Sequence, residues 1–301
     1  MRSKLLILCP GQGGQHADMF ALACSDPRAA ALIDQLQLPA MPEPQALFSN
    51  RLAQPLIVAS TLATWEALRT TLPRPALVAG YSVGELAAYG VAGALTPRQA
   101  VVLAQTRAQL MDNCLSHAPG QALLALSGLT LENIAALLQV YDYAIAIETG
   151  ADSCVAGGPL STLAPLQRAL EGAGARCQRL PVEVAAHTCA MAPAVAPFAA
   201  ALDQSDFAPM LAPVVAGIGA SPVTDTAQAI DTLSRQLSEK IIWMSCMDAC
   251  AESGITVALE LGPGAALARM LQSRHPHIAC RSVADFKTLQ GVRGWVERHY
   301  A

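Results

Sequence analysis

Leu77-Val78-Ala79-Gly80-Tyr81-Ser82-Val83-Gly84-Glu85-Leu86-Ala87-Ala88-Tyr89 sets a serine between two glycines where an apolar strand turns into a helix. A Gly-x-Ser-x-Gly turn in that context is a nucleophile elbow: the glycines remove side chains that would collide with the flanking strand and helix, and the serine is held in a strained conformation with its hydroxyl facing outward. The Val83 amide then lies at a helix N-terminus, where unpaired N–H groups and the macrodipole can stabilise an oxyanion. Pro75 precedes the apolar run, and Val83 to Gly93 reads as a small-residue helix able to pack closely under a sheet. Acyl transfer through Ser82 is the chemistry to which the stretch points. Glu85, in the first helical turn, reads as a dipole or capping partner rather than an acid catalyst.

Around this turn, strand-like runs alternate with helical ones: Leu5 to Cys9, a helix within Leu56 to Thr71, Ala76 to Ala79, the elbow helix, and later Thr256 to Leu261. That order predicts an α/β protein with a mostly parallel, hydrolase-like sheet. Thr96 as N-cap, Pro97 at the first helical position and Gln99 completing a capping box start a helix that should run to about Asn113. The stretch Gln121 to Val184 has a different rhythm. Strand Gln121 to Leu126, helix Leu131 to Val140, strands Tyr143 to Ile147 and Ser153 to Ala156, helix Ser161 to Gly172 and strand Arg176 to Val182 give βαββαβ, the ferredoxin-like plan. The expected organisation is a discontinuous large subdomain, residues 1–119 and 187–301, carrying a small ferredoxin-like subdomain at 120–186.

Of the 301 residues 53% are hydrophobic and only 14% charged, which excludes disorder and allows a large core. A net charge of −4 argues against a broad nucleic-acid-binding face. The apolar N-terminal run stops at Pro10 with no cleavage-like region after it, so it reads as a first buried strand. No segment reaches the ~18 to 20 uninterrupted apolar residues of a membrane span. Nine scattered cysteines without a Cys-x-x-Cys pair argue against a disulfide framework or structural zinc site and fit a reducing cytoplasm. His275 and His277 flank Pro276 with no carboxylate or cysteine beside them in sequence, and no metal site is expected.

A serine nucleophile needs a base, an oxyanion hole and a group that selects the acyl chain. Gly11-Gln12-Gly13-Gly14-Gln15 follows the first strand, and the Gln12 amide could approach a substrate. Arg107 sits in the capped helix among Val101, Leu103, Ala104 and Leu110, where an unpaired guanidinium would be costly. His187 follows the small subdomain. Each residue also has a plain structural reading: a tight turn, a snorkelling surface arginine, a satisfied core histidine.

Taken together, Pro10-Gly11-Gln12-Gly13-Gly14-Gln15, Gly80-Tyr81-Ser82-Val83-Gly84-Glu85, Thr106-Arg107-Ala108-Gln109-Leu110-Met111, His187 and Leu261-Gly262-Pro263-Gly264 resemble the ordered motifs of the malonyl-CoA:acyl carrier protein transacylases. The resemblance covers essentially the whole chain. It implies Ser82 as nucleophile, His187 as general base, Arg107 as clamp for the malonyl carboxylate, and the Gln12 and Val83 amides as oxyanion hole. It further implies a ping-pong reaction from malonyl-CoA to the phosphopantetheine-type thiol of a carrier protein, with no metal or redox cofactor. A cytoplasmic monomer that binds neither nucleic acid nor membrane is expected.

Two positions depart from the family pattern. Tyr81 stands where histidine is usual, and Ile242, before Trp243, stands where the resemblance places the carbonyl that orients the histidine, often on glutamine. Tyr81 and the short chain are also similar to the malonate decarboxylase ε-subunit branch, so fatty-acid initiation, malonate catabolism and polyketide supply all stay open. A serine thioesterase or esterase, and a non-catalytic carrier-binding subunit, are the alternative readings. No Asp or Glu partner for His187 is evident, which suits a Ser-His dyad.

Overall fold

The computed structural model describes residues 3–38, 43 and 46–300. In chain order the elements are β1 (Leu5–Cys9), α1 (Pro27–Leu36), α2 (Asn50–Leu68), β2 (Leu77–Gly80), α3 (Gly84–Val91), α4 (Pro97–Cys114), β3 (Gln121–Ser127), α5 (Leu131–Val140), β4 (Ala144–Gly150), β5 (Ser153–Pro159), α6 (Leu163–Gly172) and β6 (Arg176–Arg179). There follow α7 (Ala192–Asp203), β7 (Val214–Ala216), β8 (Ser221–Val223), α8 (Thr226–Arg235), α9 (Trp243–Glu252), β9 (Val257–Glu260), α10 (Ala266–Arg274), β10 (Ala279–Ser282) and α11 (Leu289–His299).

The larger sheet runs β10-β9-β1-β2-β7-β8, parallel except for the β7–β8 hairpin. A parallel sheet is covered on both faces, so its strands read as continuous apolar runs. In β1 every residue is buried: Leu5, Ile7 and Cys9 face one core while Leu6 and Leu8 face the other, the two-residue period of a strand. The first core is filled by α2, α3, α4, α7 and α11; the second by α9, α10 and one face of the smaller sheet.

The smaller sheet is antiparallel, in the order β4-β5-β3-β6, with α5 and α6 packed on its far side through Ile134, Leu138, Leu166 and Leu170. Successive residues of β3 serve different neighbours. Leu123 joins the core shared with the large sheet, and Leu124 joins the one under the helices. This is the ferredoxin-like arrangement that the βαββαβ pattern predicts.

Several bounds differ from the sequence expectation. Helix α2 begins at Asn50, six residues before Leu56, and contains Pro55. Proline lacks an N–H and ordinarily interrupts a helix interior, but Pro55 lies in the second turn of a fully buried segment whose packing outweighs the one lost bond. The β7–β8 hairpin and β10 have only three or four residues each and no clear alternation, so the sequence pattern does not announce them.

The capping box of α4 is present: the Thr96 hydroxyl accepts from the Gln99 amide at 3.3 Å, and Gln99 Oε1 accepts from the Thr96 amide at 2.9 Å. Thr96→Ala is expected to lower stability by about 1 kcal/mol, read as a lower urea midpoint with an unchanged slope. The cap matters to the site because α4 carries Arg107.

Candidate active site

The turns after β1, β2, β7 and β9 all lie at the carboxyl ends of parallel strands, where open α/β sheets gather their ligands. Ser82 follows β2 with φ 55°, in the left-handed region that a non-glycine residue adopts only when its surroundings impose it. The surroundings are visible. A Cβ on Gly80 would lie 2.3 Å from the Glu85 backbone, one on Gly84 2.2 Å from the Cys9 carbonyl oxygen, and one on Gly11 2.7 Å from the Tyr81 carbonyl oxygen. The elbow and the Gln12 loop are therefore pressed together, and only glycine fits at the seams. The Gly262-Pro263-Gly264 turn braces the loop from its other side, with the Pro263 carbonyl oxygen 2.5 Å from where a Gly14 Cβ would stand.

His187, also at positive φ (62°), brings Nε2 to 2.8 Å from Ser82 Oγ. Its Nδ1 lies 2.6 Å from the main-chain oxygen of Gln236. A carbonyl only accepts, so Nδ1 carries the proton and Nε2 presents its lone pair to the serine hydroxyl. Burial, followed by the Arg107 charge, pushes the imidazole down to about 3, so the ring is neutral and ready to accept a proton at physiological pH. Nitrogen NMR of the labelled protein is expected to show His187 neutral, with its proton on Nδ1, below pH 5, whereas a free imidazole half-titrates near 6.5. The unfolded chain takes that proton near 6.5 and the folded one near 3, so the stability contributed by this group falls as pH drops through that window.

Arg107, 2% exposed, donates from Nη1 to Gln54 Oε1 at 2.7 Å and from Nη2 to Gln236 Oε1 at 3.3 Å and Ser82 Oγ at 3.5 Å. Among the described residues no carboxylate pairs with it directly. Burial lowers its pKa to about 10, which still leaves it charged at neutral pH. It is neither snorkelling nor on the surface. Neither the Gln12 nor the Val83 backbone amide donates to another backbone group among the described residues; Val83 follows Ser82 in the chain, and Gly11, next to Gln12, packs against Tyr81 and Ser82.

The structure thus brings Ser82, His187 and Arg107 into hydrogen-bond contact, sets Val83 and the Gln12 loop next to the serine in the chain and in the packing, and leaves Ile242 out. The Ile242 amide donates to the Gly217 carbonyl at 2.9 Å, and the residue is the N-cap of α9; the oxygen that orients His187 belongs to Gln236, six residues earlier. The expectation for Ile242 is corrected accordingly: the histidine is held by the main-chain oxygen of another residue, Gln236. Tyr81 packs edge-on against Trp243, with ring centroids 5.2 Å apart at 82°.

Glu85 is corrected too. It caps nothing at the start of α3, for it is fully buried and accepts from the Gly217 amide at 3.0 Å and from Gln236 Nε2 at 2.5 Å. Burial raises its carboxyl to about 7 against the pull of those two donors and of Arg107. Gln54 had no mark in the sequence beyond being an amide next to an apolar run, and Gln236 none within the polar stretch Ser234 to Lys240.

The acyl transferase domain family model matches residues 7–276. The chain belongs to that family. Over 96% of its length this acyl transferase is 33% identical to the whole of the malonyl CoA-acyl carrier protein transacylase of Mycobacterium tuberculosis, and over 88% it is 29% identical to 91% of that of Salmonella typhimurium. The crystal structure of the M. tuberculosis transacylase superposes with a TM-score of 0.88 at 30% identity, covering 99% of this chain and 100% of that one. The fold is also that of the Coxiella burnetii transacylase, at a TM-score of 0.92 and 23% identity over 100% of this chain and 99% of that one. Among the described residues of this acyl transferase no helix is long and apolar enough to cross a membrane.

Proposed function

We propose that the protein moves malonyl from malonyl-CoA to the phosphopantetheine-type thiol of an acyl carrier protein through a malonyl-Ser82 ester. The observation that carries this reading is Arg107: a buried guanidinium whose near partners are neutral, 3.5 Å from the serine oxygen. A malonyl group places its carboxylate one methylene beyond the thioester carbonyl, and that carboxylate supplies the direct counter-charge that Arg107 lacks. Arginine's planar fork holds a carboxylate through two parallel hydrogen bonds, which an acetyl group cannot offer. Relatives named for this reaction at about a third identity support it.

The steps follow from the geometry. Ser82 gives its proton to His187 Nε2 as its oxygen attacks the thioester carbonyl, and the Gln12 and Val83 amides hold the oxyanion. The C–S bond breaks, the CoA sulfur takes the proton from His187, and the ester remains. The carrier thiol then gives a proton to His187, its sulfur attacks the ester, and Ser82 leaves with that proton. The Gln236 carbonyl steadies the imidazolium through both halves, as the third member of a triad would. The residues call for no cofactor beyond the two thiol carriers, and nine unpaired cysteines suit a cytoplasmic setting.

The test is intact-protein mass spectrometry after brief incubation with malonyl-CoA. A malonyl-sized adduct that disappears when a pantetheinylated carrier is added is the expected result. Rapid CoA release without an adduct marks a hydrolase; neither adduct nor release overturns catalysis altogether.

A further inference from the structure

Gln236 does two things at once. Its main-chain oxygen orients His187 and its side-chain oxygen holds Arg107. What fixes the side chain is Glu85. An ionised carboxylate only accepts and a guanidinium only donates, so the amide between them has one satisfactory orientation: Nε2 toward Glu85, Oε1 toward Arg107. The arrangement is an ion pair relayed through one amide. Gly217 makes room for it, since a Cβ there would stand 3.1 Å from Glu85 Oε2, and its amide gives the carboxylate a second donor.

We propose that Glu85 is a positioning residue that sets acyl selectivity: through Gln236 it aims the Arg107 guanidinium at the incoming carboxylate. The inference rests on the transacylase reading above. With Glu85 neutral, either end of the Gln236 amide can face it. Turned round, the amide presents N–H groups to a guanidinium that has only N–H groups to offer, and Arg107 loses one of its two amide acceptors.

The experiment compares wild type, Glu85→Gln, Gln236→Ala and the double variant at pH 8, above the raised carboxyl value of about 7. Transfer from malonyl-CoA and from acetyl-CoA to pantetheine is measured for each, with thermal melts to show folding. The expected result is a drop of about tenfold in the malonyl-over-acetyl ratio of kcat/KM for Glu85→Gln, arising mainly in KM for malonyl-CoA. Gln236→Ala gives a similar drop, and the double variant is no worse than the more impaired single. A general loss of packing would lower both substrates alike and leave the ratio in place. An unchanged ratio in Glu85→Gln, or single losses that multiply in the double, overturns the proposal. If Glu85→Gln does not fold, an unchanged ratio in Gln236→Ala does the same. Wild type that transfers no malonyl overturns the transacylase reading, and the proposal with it, whereas a failure confined to the variants leaves that reading standing.

Discussion

Ser82→Ala is expected to lower malonyl transfer by at least roughly 10⁴-fold and to abolish the covalent adduct, while the protein stays folded. The hydroxyl is half-buried and bonded mainly to His187; its loss removes the partner of the buried His187 Nε2, while the Nδ1 bond to the Gln236 carbonyl still holds the ring. The proposed oxyanion amides of Gln12 and Val83 and the proposed Arg107 clamp are left in place, and substrate binding should persist with KM little changed. Stopped assays of carrier malonylation alongside intact mass give both readouts. Transfer at the wild-type rate without an adduct would remove the nucleophile role from Ser82.

Arg107→Ala is the second large effect, and it acts on choice rather than on chemistry. Malonyl-CoA kcat/KM is expected to fall by roughly 10³-fold, with acetyl-CoA affected far less, because a site built to hydrogen-bond a charged group is left with unpaired partners once that charge has nothing to meet. The Gln54 and Gln236 oxygens lose their donor as well. Arg107→Lys restores only part, since an ammonium cannot fill both acceptors and the carboxylate in one plane. An alanine variant that still prefers malonyl as strongly as wild type would dismiss the clamp.

The sequence carries the elbow, the capped helix under Arg107 and the βαββαβ rhythm, because each depends on local pattern: glycine where no Cβ fits, a box at a helix start, alternation along a strand. The partners of His187 and Arg107 are another matter. The Nδ1 acceptor is a main-chain carbonyl, which every residue type supplies, so its owner leaves no signature and the expectation fell on Ile242 instead of Gln236. Glu85 misled for a related reason. A carboxylate in a first helical turn is ordinarily an exposed dipole partner, and only the closeness of β7 and the Gln236 turn shows that it points inward. Similarly, Asp248 on α9 reaches His275 at 2.9 Å from 27 residues away, a neighbour that sequence spacing does not disclose.

The two residues that meet across the catalytic hydrogen bond both hold left-handed backbone, Ser82 at φ 55° and His187 at φ 62°. Each such residue carries strain on the order of 1–3 kcal/mol that the surrounding fold must offset. Glycine at 82 would relieve the strain there and leave the chain inert, whereas at 187 it would also delete a buried imidazole and its two hydrogen bonds. Selection for turnover thus keeps this protein below the stability its own topology permits. Laboratory evolution for heat resistance alone would therefore erode activity at position 82, unless catalysis were scored in every round.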